Sequence, residues 1–105
     1  MGPEAALERR CCVLATRLGC RPIKLGGFVV GLPDRAFLLP GGRVWLVEFK
    51  RPGGLVSVAQ KYHFIGLGEL GHPVEVISSY AWFRRDLYQK LGLPVPPTQL
   101  GLALT

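Results

Sequence analysis

The sequence predicts a mixed α/β fold, one sheet flanked by helices in the order αβββαβα. Three observations predict it. An apolar stripe of helical period runs through residues 4–18. Two apolar strand-like runs face each other across Pro40-Gly41-Gly42-Arg43. A helix, a strand and a helix, punctuated by glycine, then fill residues 57–91.

In the first element, Glu4 to Leu18, the residues Leu7, Cys11, Leu14 and Leu18 recur at spacings of four, three and four. Arg9, Arg10 and Arg17 lie mainly on the other side, and Gly19 supplies a stop. Arg21 to Leu25 alternates apolar and basic residues and reads as a strand. Gly26-Gly27 breaks the chain, and Gly31-Leu32-Pro33 is a second turn signal. Phe28 to Val30, between them, reads as a loop or a short extended piece. Asp34 to Leu39 and Val44 to Phe49 read as the strands of a hairpin. Ala36, Leu38, Val44 and Leu46 share one face of it, and Phe37, Leu39, Trp45 and Val47 the other, as in a sheet covered on both sides.

Arg51-Pro52-Gly53-Gly54 ends the second hairpin strand. Ser57 to Leu70 reads as a helix with Ala59, Tyr62, Ile65, Leu67 and Leu70 mostly on its buried side, weakened by Gly66 and Gly68. Gly71-His72-Pro73 is a turn, Val74 to Ser78 a strand, and Ala81 to Leu91 a helix stopped by Gly92. Residues 1–93 form the expected single domain. Residues 94–105 are a proline-rich and then apolar tail that dangles or packs on the body or on a second subunit.

Composition narrows the function classes. The 105 residues suffice for one core, and 49% hydrophobic residues argue against disorder. No apolar run has the length of a membrane span, and MGPEAALERR lacks the apolar stretch of a signal peptide. The expectation is a cytoplasmic protein, bacterial or made by a phage in its host. Cys11, Cys12 and Cys20 are odd in number and lack zinc spacing, so reduced, buried thiols are expected. The net charge of +6 favours a polyanionic partner bound in a salt-sensitive way.

Asp34, Glu48 and Lys50 carry the chemistry. Side chains alternate along a strand, so Glu48 and Lys50 share a face while Phe49 takes the other. Asp34 joins them only if it pairs opposite Glu48, which demands an odd loop or a bulge. A two-residue Gly41-Gly42 turn would slip the register by one and put Asp34 on the wrong face. Carboxylates are hard oxygen ligands for Mg²⁺ or Mn²⁺. An ammonium group beside them can position a water or neutralise developing charge. Together they equip the chain for metal-assisted phosphodiester hydrolysis. The competing reading of Glu48 and Lys50 is an ion pair at a strand end.

The stretch GLPDRAFLLPGGRVWLVEFKRPGGLVSVAQ resembles the core of the virus-type replication-repair nuclease (VRR-NUC) domain, within the PD-(D/E)xK superfamily. The resemblance covers about residues 4 to 80 and rests on GLPDR, the GGR turn, VEFK, a glycine-rich loop and Gln60 in that order. It implies a restriction-endonuclease-like fold and a Mg²⁺- or Mn²⁺-dependent, structure-specific DNA endonuclease. It also implies a homodimer and branched DNA such as Holliday junctions, as in stand-alone bacterial and phage members. A nuclease on flapped or linear DNA, or a non-catalytic DNA-binding module, is the alternative.

By that resemblance Asp34 and Glu48 hold the metal with the backbone carbonyl of Phe49, and Lys50 orients the attacking water or stabilises the transition state. A first-helix glutamate completes the set, and spacing to Gly19 and Lys24 favours Glu8 over Glu4. Gln60 is implied as a site residue touching Lys50 or DNA, against its reading as the partner of Ser57 in a capping box. Phe64 stands where related RecB-like nucleases carry tyrosine, so no tyrosine role carries over. Lys24, Arg35, Arg51 and Lys61 are candidate phosphate contacts, each competing with a plain solvated charge. His63 and His72 read as surface or turn residues, Trp45 as core, and Trp82 as core ahead of interface or base-stacking wedge.

Overall fold

Pro3 at the first helical position and Glu4 in the first turn start the first helix, α1 (Pro3–Arg17). Its end is a Schellman motif: Cys20 N–H donates to the Ala15 carbonyl (2.9 Å) and Gly19 N–H to that of Thr16 (3.1 Å). This computed structural model describes residues 1–97, so the apolar end of the tail, residues 98–105, lies outside the described residues. After α1 come β1 (Arg21–Lys24), β2 (Arg35–Leu39), β3 (Arg43–Phe49), α2 (Val58–Glu69), β4 (Val74–Ile77) and α3 (Tyr80–Lys90). The order αβββαβα is the one the sequence predicts. No helix among the described residues is long and apolar enough to cross a membrane.

The four strands lie in the order β1-β2-β3-β4. The first three are antiparallel, and β4 runs parallel to β3 after the α2 crossover. The β2–β3 register pairs Arg35 with Val47, Phe37 with Trp45 and Leu39 with Arg43. Three residues, Pro40-Gly41-Gly42, therefore close the hairpin, and both glycines have positive φ. The odd loop required of the Asp34–Glu48 pairing is present. Continued by one step, this register sets Asp34 opposite Glu48.

The core lies on one face of the sheet. Phe37, Leu39, Trp45, Val47, Phe49 and Ile77 pack there with Cys11, Leu14 and Ala15 of α1 and Phe83 and Leu87 of α3. The Trp45 and Phe83 rings stack at 4.8 Å. Cys11 and Cys20 are buried, and all three thiols are free. Burial pushes the Cys11 thiol up to about 12, so it acts as a small apolar residue.

The other face differs from the sequence expectation. Ala36 and Leu46 are buried there, but Leu38, Val44 and Val76 are exposed. Helix α2 has no buried residue, and Tyr62, Ile65 and Leu70 face solvent. The half-buried side of α2 is instead Ala59, Gln60, His63, Phe64 and Leu67. That is one helical face, turned inward with two polar residues because it borders the polar end of the sheet. Trp82 is also corrected: it is 54% exposed on α3, with the Arg85 guanidinium 3.8 Å from its ring centre.

Candidate active site

The last residue before β2 is Asp34, and three contacts hold it. Its side-chain Oδ2 accepts a hydrogen bond from the Phe49 N–H at 2.8 Å. Its backbone carbonyl accepts from the N–H groups of Leu25 (2.9 Å) and Gly26 (3.3 Å), the two residues that follow β1. The buried Pro33 fixes the approach. Upstream, Gly31 touches α2 so closely that a Cβ would lie 2.6 Å from His63 Cδ2 and 2.7 Å from the Ala59 carbonyl oxygen. Only glycine fits that crossing, and its φ of +94° is a second reason.

Glu48 is 2% exposed and is the one buried charged residue among those described. Strand alternation brings Lys50 to its side, with Nζ 3.1 Å from Glu48 Oε2. The Lys50 N–H donates to the Ile77 carbonyl at 2.9 Å, which keeps this residue in the sheet ladder. Gln60 Nε2 donates to the same Oε2 at 2.7 Å. Glu48 Oε1 is buried and has no hydrogen-bond partner among the described residues. Burial pushes the Glu48 carboxyl above its ordinary value. The Lys50 hydrogen bond pulls it back, the Asp34 charge raises it again, and the Gln60 bond lowers it.

The capping-box reading of Gln60 holds, and the rest of its amide reaches Glu48 rather than Lys50. Its Oε1 accepts from the Ser57 N–H (2.9 Å) and its N–H donates to Ser57 Oγ (3.1 Å), completing the capping box. That arrangement turns Nε2 toward Glu48. One amide thus starts α2 and ties it to β3.

A solved structure described as a "VRR_NUC domain" superposes on this chain with a TM-score of 0.74. The match covers 86% of this chain and 97% of that one, at 23% sequence identity. The fold is that of a VRR-NUC domain. No protein-family model matches the chain, and no curated protein matches it by sequence. At this identity the VRR-NUC likeness is one of fold.

Asp34, Glu48, Lys50 and Gln60 therefore come together at one end of the VRR-NUC-like sheet, with the Phe49 backbone between the two acids. Glu8 is placed elsewhere. Its Oε2 lies 2.6 Å from Arg35 Nε and 3.1 Å from Lys24 Nζ. Arg35 follows Asp34 in the strand and so points to the opposite face of the sheet. No group of three or more acid, histidine or cysteine side chains suited to a metal occurs among the described residues. Lys24 and Arg35 line an open cleft of about 500 Å³ with Arg9 and Arg17 of α1. Arg51 and Lys61 are exposed next to Lys50 and Gln60 in the sequence.

Two parts of this site escape sequence reading. His63 belongs to the inward side of α2 and abuts Gly31. Its one sequence signal is its spacing of four from Ala59. Glu8, Lys24 and Arg35 are each candidates in the sequence, but the ion pairing that joins them away from Glu48, across 16 and 27 positions, is not foreseen there.

Proposed function

We propose that this chain is a divalent-metal-dependent DNA endonuclease of the PD-(D/E)xK type that cuts branched DNA. The single observation that carries the proposal is Glu48: a buried carboxylate beside Asp34, with one oxygen holding Lys50 and Gln60 and the other without a partner among the described residues. An orphaned buried carboxylate oxygen is costly unless a cation takes it. The remaining donors, the second Asp34 oxygen and the Phe49 carbonyl, are also hard oxygens, which suits Mg²⁺ or Mn²⁺. Bound there, the ion would lower the pKa of a water and neutralise charge on the phosphate.

The chain's own residues do the rest. The Phe49 N–H fixes the Asp34 carboxylate, leaving its other oxygen free. Gln60 restrains Glu48, so that its rotamer does not depend on the ligand. Lys50, held in the sheet ladder by its backbone, presents an ammonium group to the phosphate oxygens or to the attacking water. Lys24, Arg35, Arg51 and Lys61 supply phosphate contacts to either side. Resemblance assigns Glu8 to the metal. Its two cationic partners favour a different role, in which it arranges Lys24 and Arg35 along the phosphate path.

A branched substrate suits a small domain with a net charge of +6. Two copies related by a two-fold axis would address two strands of a junction. The test is cleavage of a four-way junction with Mg²⁺ or Mn²⁺, comparing wild type with Asp34→Ala and Lys50→Ala and competing with flap and plain duplex. Cleavage by wild type alone, preferring the junction, is expected. A wild type that binds the junction and never cuts it contradicts the enzyme, and equal cutting of all three substrates contradicts the branched preference.

A further inference from the structure

Between β1 and β2 the chain makes a compact loop whose ends are closed by the Leu25 N–H to Asp34 carbonyl bond at 2.9 Å. The tip of that loop is Phe28-Val29-Val30. Phe28 is 81% exposed and Val30 is 83% exposed, with Val29 exposed as well. A Leu32 N–H to Val29 carbonyl bond (3.3 Å) ties the tip to its own stem. Three consecutive large apolar residues in water are costly to maintain, and here they crown a loop built from the site itself.

Both stems belong to the catalytic end. Gly26 borders Asp34: a Cβ there would lie 3.6 Å from Asp34 Oδ1, the oxygen that Phe49 does not hold. Phe28 is two residues on, so its Cα lies within about 7 Å of that of Gly26. That is roughly two base steps along a strand. At the other stem, Gly31 is wedged against Ala59 and His63 of α2, the helix that delivers Gln60 to Glu48. Lys24 and Arg35 stand at the two feet of the loop, bound to one shared carboxylate and so carrying a net positive charge.

We propose that Phe28-Val29-Val30 is a base-stacking finger that engages nucleobases exposed at a branch point, and so selects opened DNA over intact duplex. This rests on the nuclease reading above and adds to it the device that reads the substrate. Intact duplex offers an approaching protein phosphates and base edges, while its apolar base faces are hidden in the stack. Those faces become available where strands separate. An apolar tip on a loop whose stem borders the Asp34 carboxylate and whose feet carry two cations matches a nucleotide whose base has left the stack. Stacking on Phe28 would hold that nucleotide while its neighbouring phosphate enters the site.

The test is equilibrium binding in EDTA, where no turnover occurs, of a four-way junction and of a duplex with the same sequence. Both carry 2-aminopurine at the branch position, and the proteins are wild type, Phe28→Ala, Phe28→Trp and Val30→Ser. Phe28→Ala is expected to lose about tenfold in junction affinity and less than twofold on duplex. Val30→Ser loses less, in the same direction. Phe28→Trp restores junction affinity and quenches 2-aminopurine. Phe28 is exposed, so the variants keep the wild-type melting temperature. Equal losses on junction and duplex, or no loss on either, overturn the finger. So does a change in sedimentation with an unchanged junction-to-duplex ratio, which marks the tip as a contact between copies. Because the readout is binding, the finger can fail while cleavage persists. Absent cleavage beside a Phe28-dependent junction preference would leave the finger and remove the enzyme.

Discussion

Two glutamates at the same end of the sheet, Glu48 and Glu8, sit on opposite faces and are partnered in opposite ways. Glu48 shares its surroundings with Asp34 and has one full cation, Lys50, so its cluster carries net negative charge. Glu8 has two full cations, Lys24 and Arg35, so its cluster is net positive. Glu48 is buried with an oxygen left over, whereas the Glu8 cluster opens onto a basic cleft. The negative cluster is short of a cation and the positive cluster is short of an anion. On the proposed function, a metal on one side and a phosphate backbone on the other would satisfy both.

The largest expected effect breaks the negative cluster. Asp34→Ala and Lys50→Ala should each lower junction cleavage by about 10²–10³-fold or more, read as single-turnover rates, with junction affinity in EDTA held within a few-fold. Next comes the helix tie. Gln60→Ala should weaken Mg²⁺ or Mn²⁺ binding by about 10–100-fold. Ser57→Ala should cost about 1 kcal/mol of stability through the lost cap and leave metal affinity within twofold. Calorimetric titration and denaturant melts on the pair separate the two duties of one amide. If both variants behave alike, Gln60 is a cap only.

A third prediction concerns pH. The Glu48 carboxyl is held above its ordinary value, chiefly by burial. The folded chain therefore retains a proton that the unfolded chain releases. Glu48's contribution is present below the ordinary value of 4.5 and is lost as pH rises through the raised one. Glu48→Gln should flatten that slope and raise the neutral-pH melting temperature in EDTA by a few degrees. It should also abolish the further rise that Mg²⁺ gives the wild type. Metal affinity of the wild type should increase with pH across the same window, because ion and proton compete for one carboxylate.

The smallest effect comes from the positive cluster. Glu8→Gln should leave metal affinity within about twofold and strengthen DNA binding with a steeper salt dependence, since Lys24 and Arg35 are released to phosphates. A tenfold loss of metal affinity would instead make Glu8 a ligand and collapse the contrast between the two clusters.

Much of this was legible because strands obey strict alternation. Once Asp34, Glu48 and Lys50 must share a face, the loop between their strands must be odd, and Pro40-Gly41-Gly42 is. The element order followed from periodicity and glycine punctuation alone. The face of α2 did not, because the helix turns Gln60 and His63 inward and leaves Tyr62 and Ile65 outside. An apolar-inward rule fails where a helix borders a polar site. The pairing of Glu8 with Arg35, 27 positions away, and the close approach at Gly31 depend on tertiary placement across many residues, which no spacing in the chain encodes.

The most direct measurement is Mg²⁺-dependent cleavage of an end-labelled four-way junction by wild type and Glu48→Gln. The account predicts cleavage that saturates with Mg²⁺ in the wild type. In Glu48→Gln it predicts none, although that variant still binds the junction. No wild-type cleavage with any Mg²⁺ or Mn²⁺ concentration, or equal cleavage by Glu48→Gln, would contradict it.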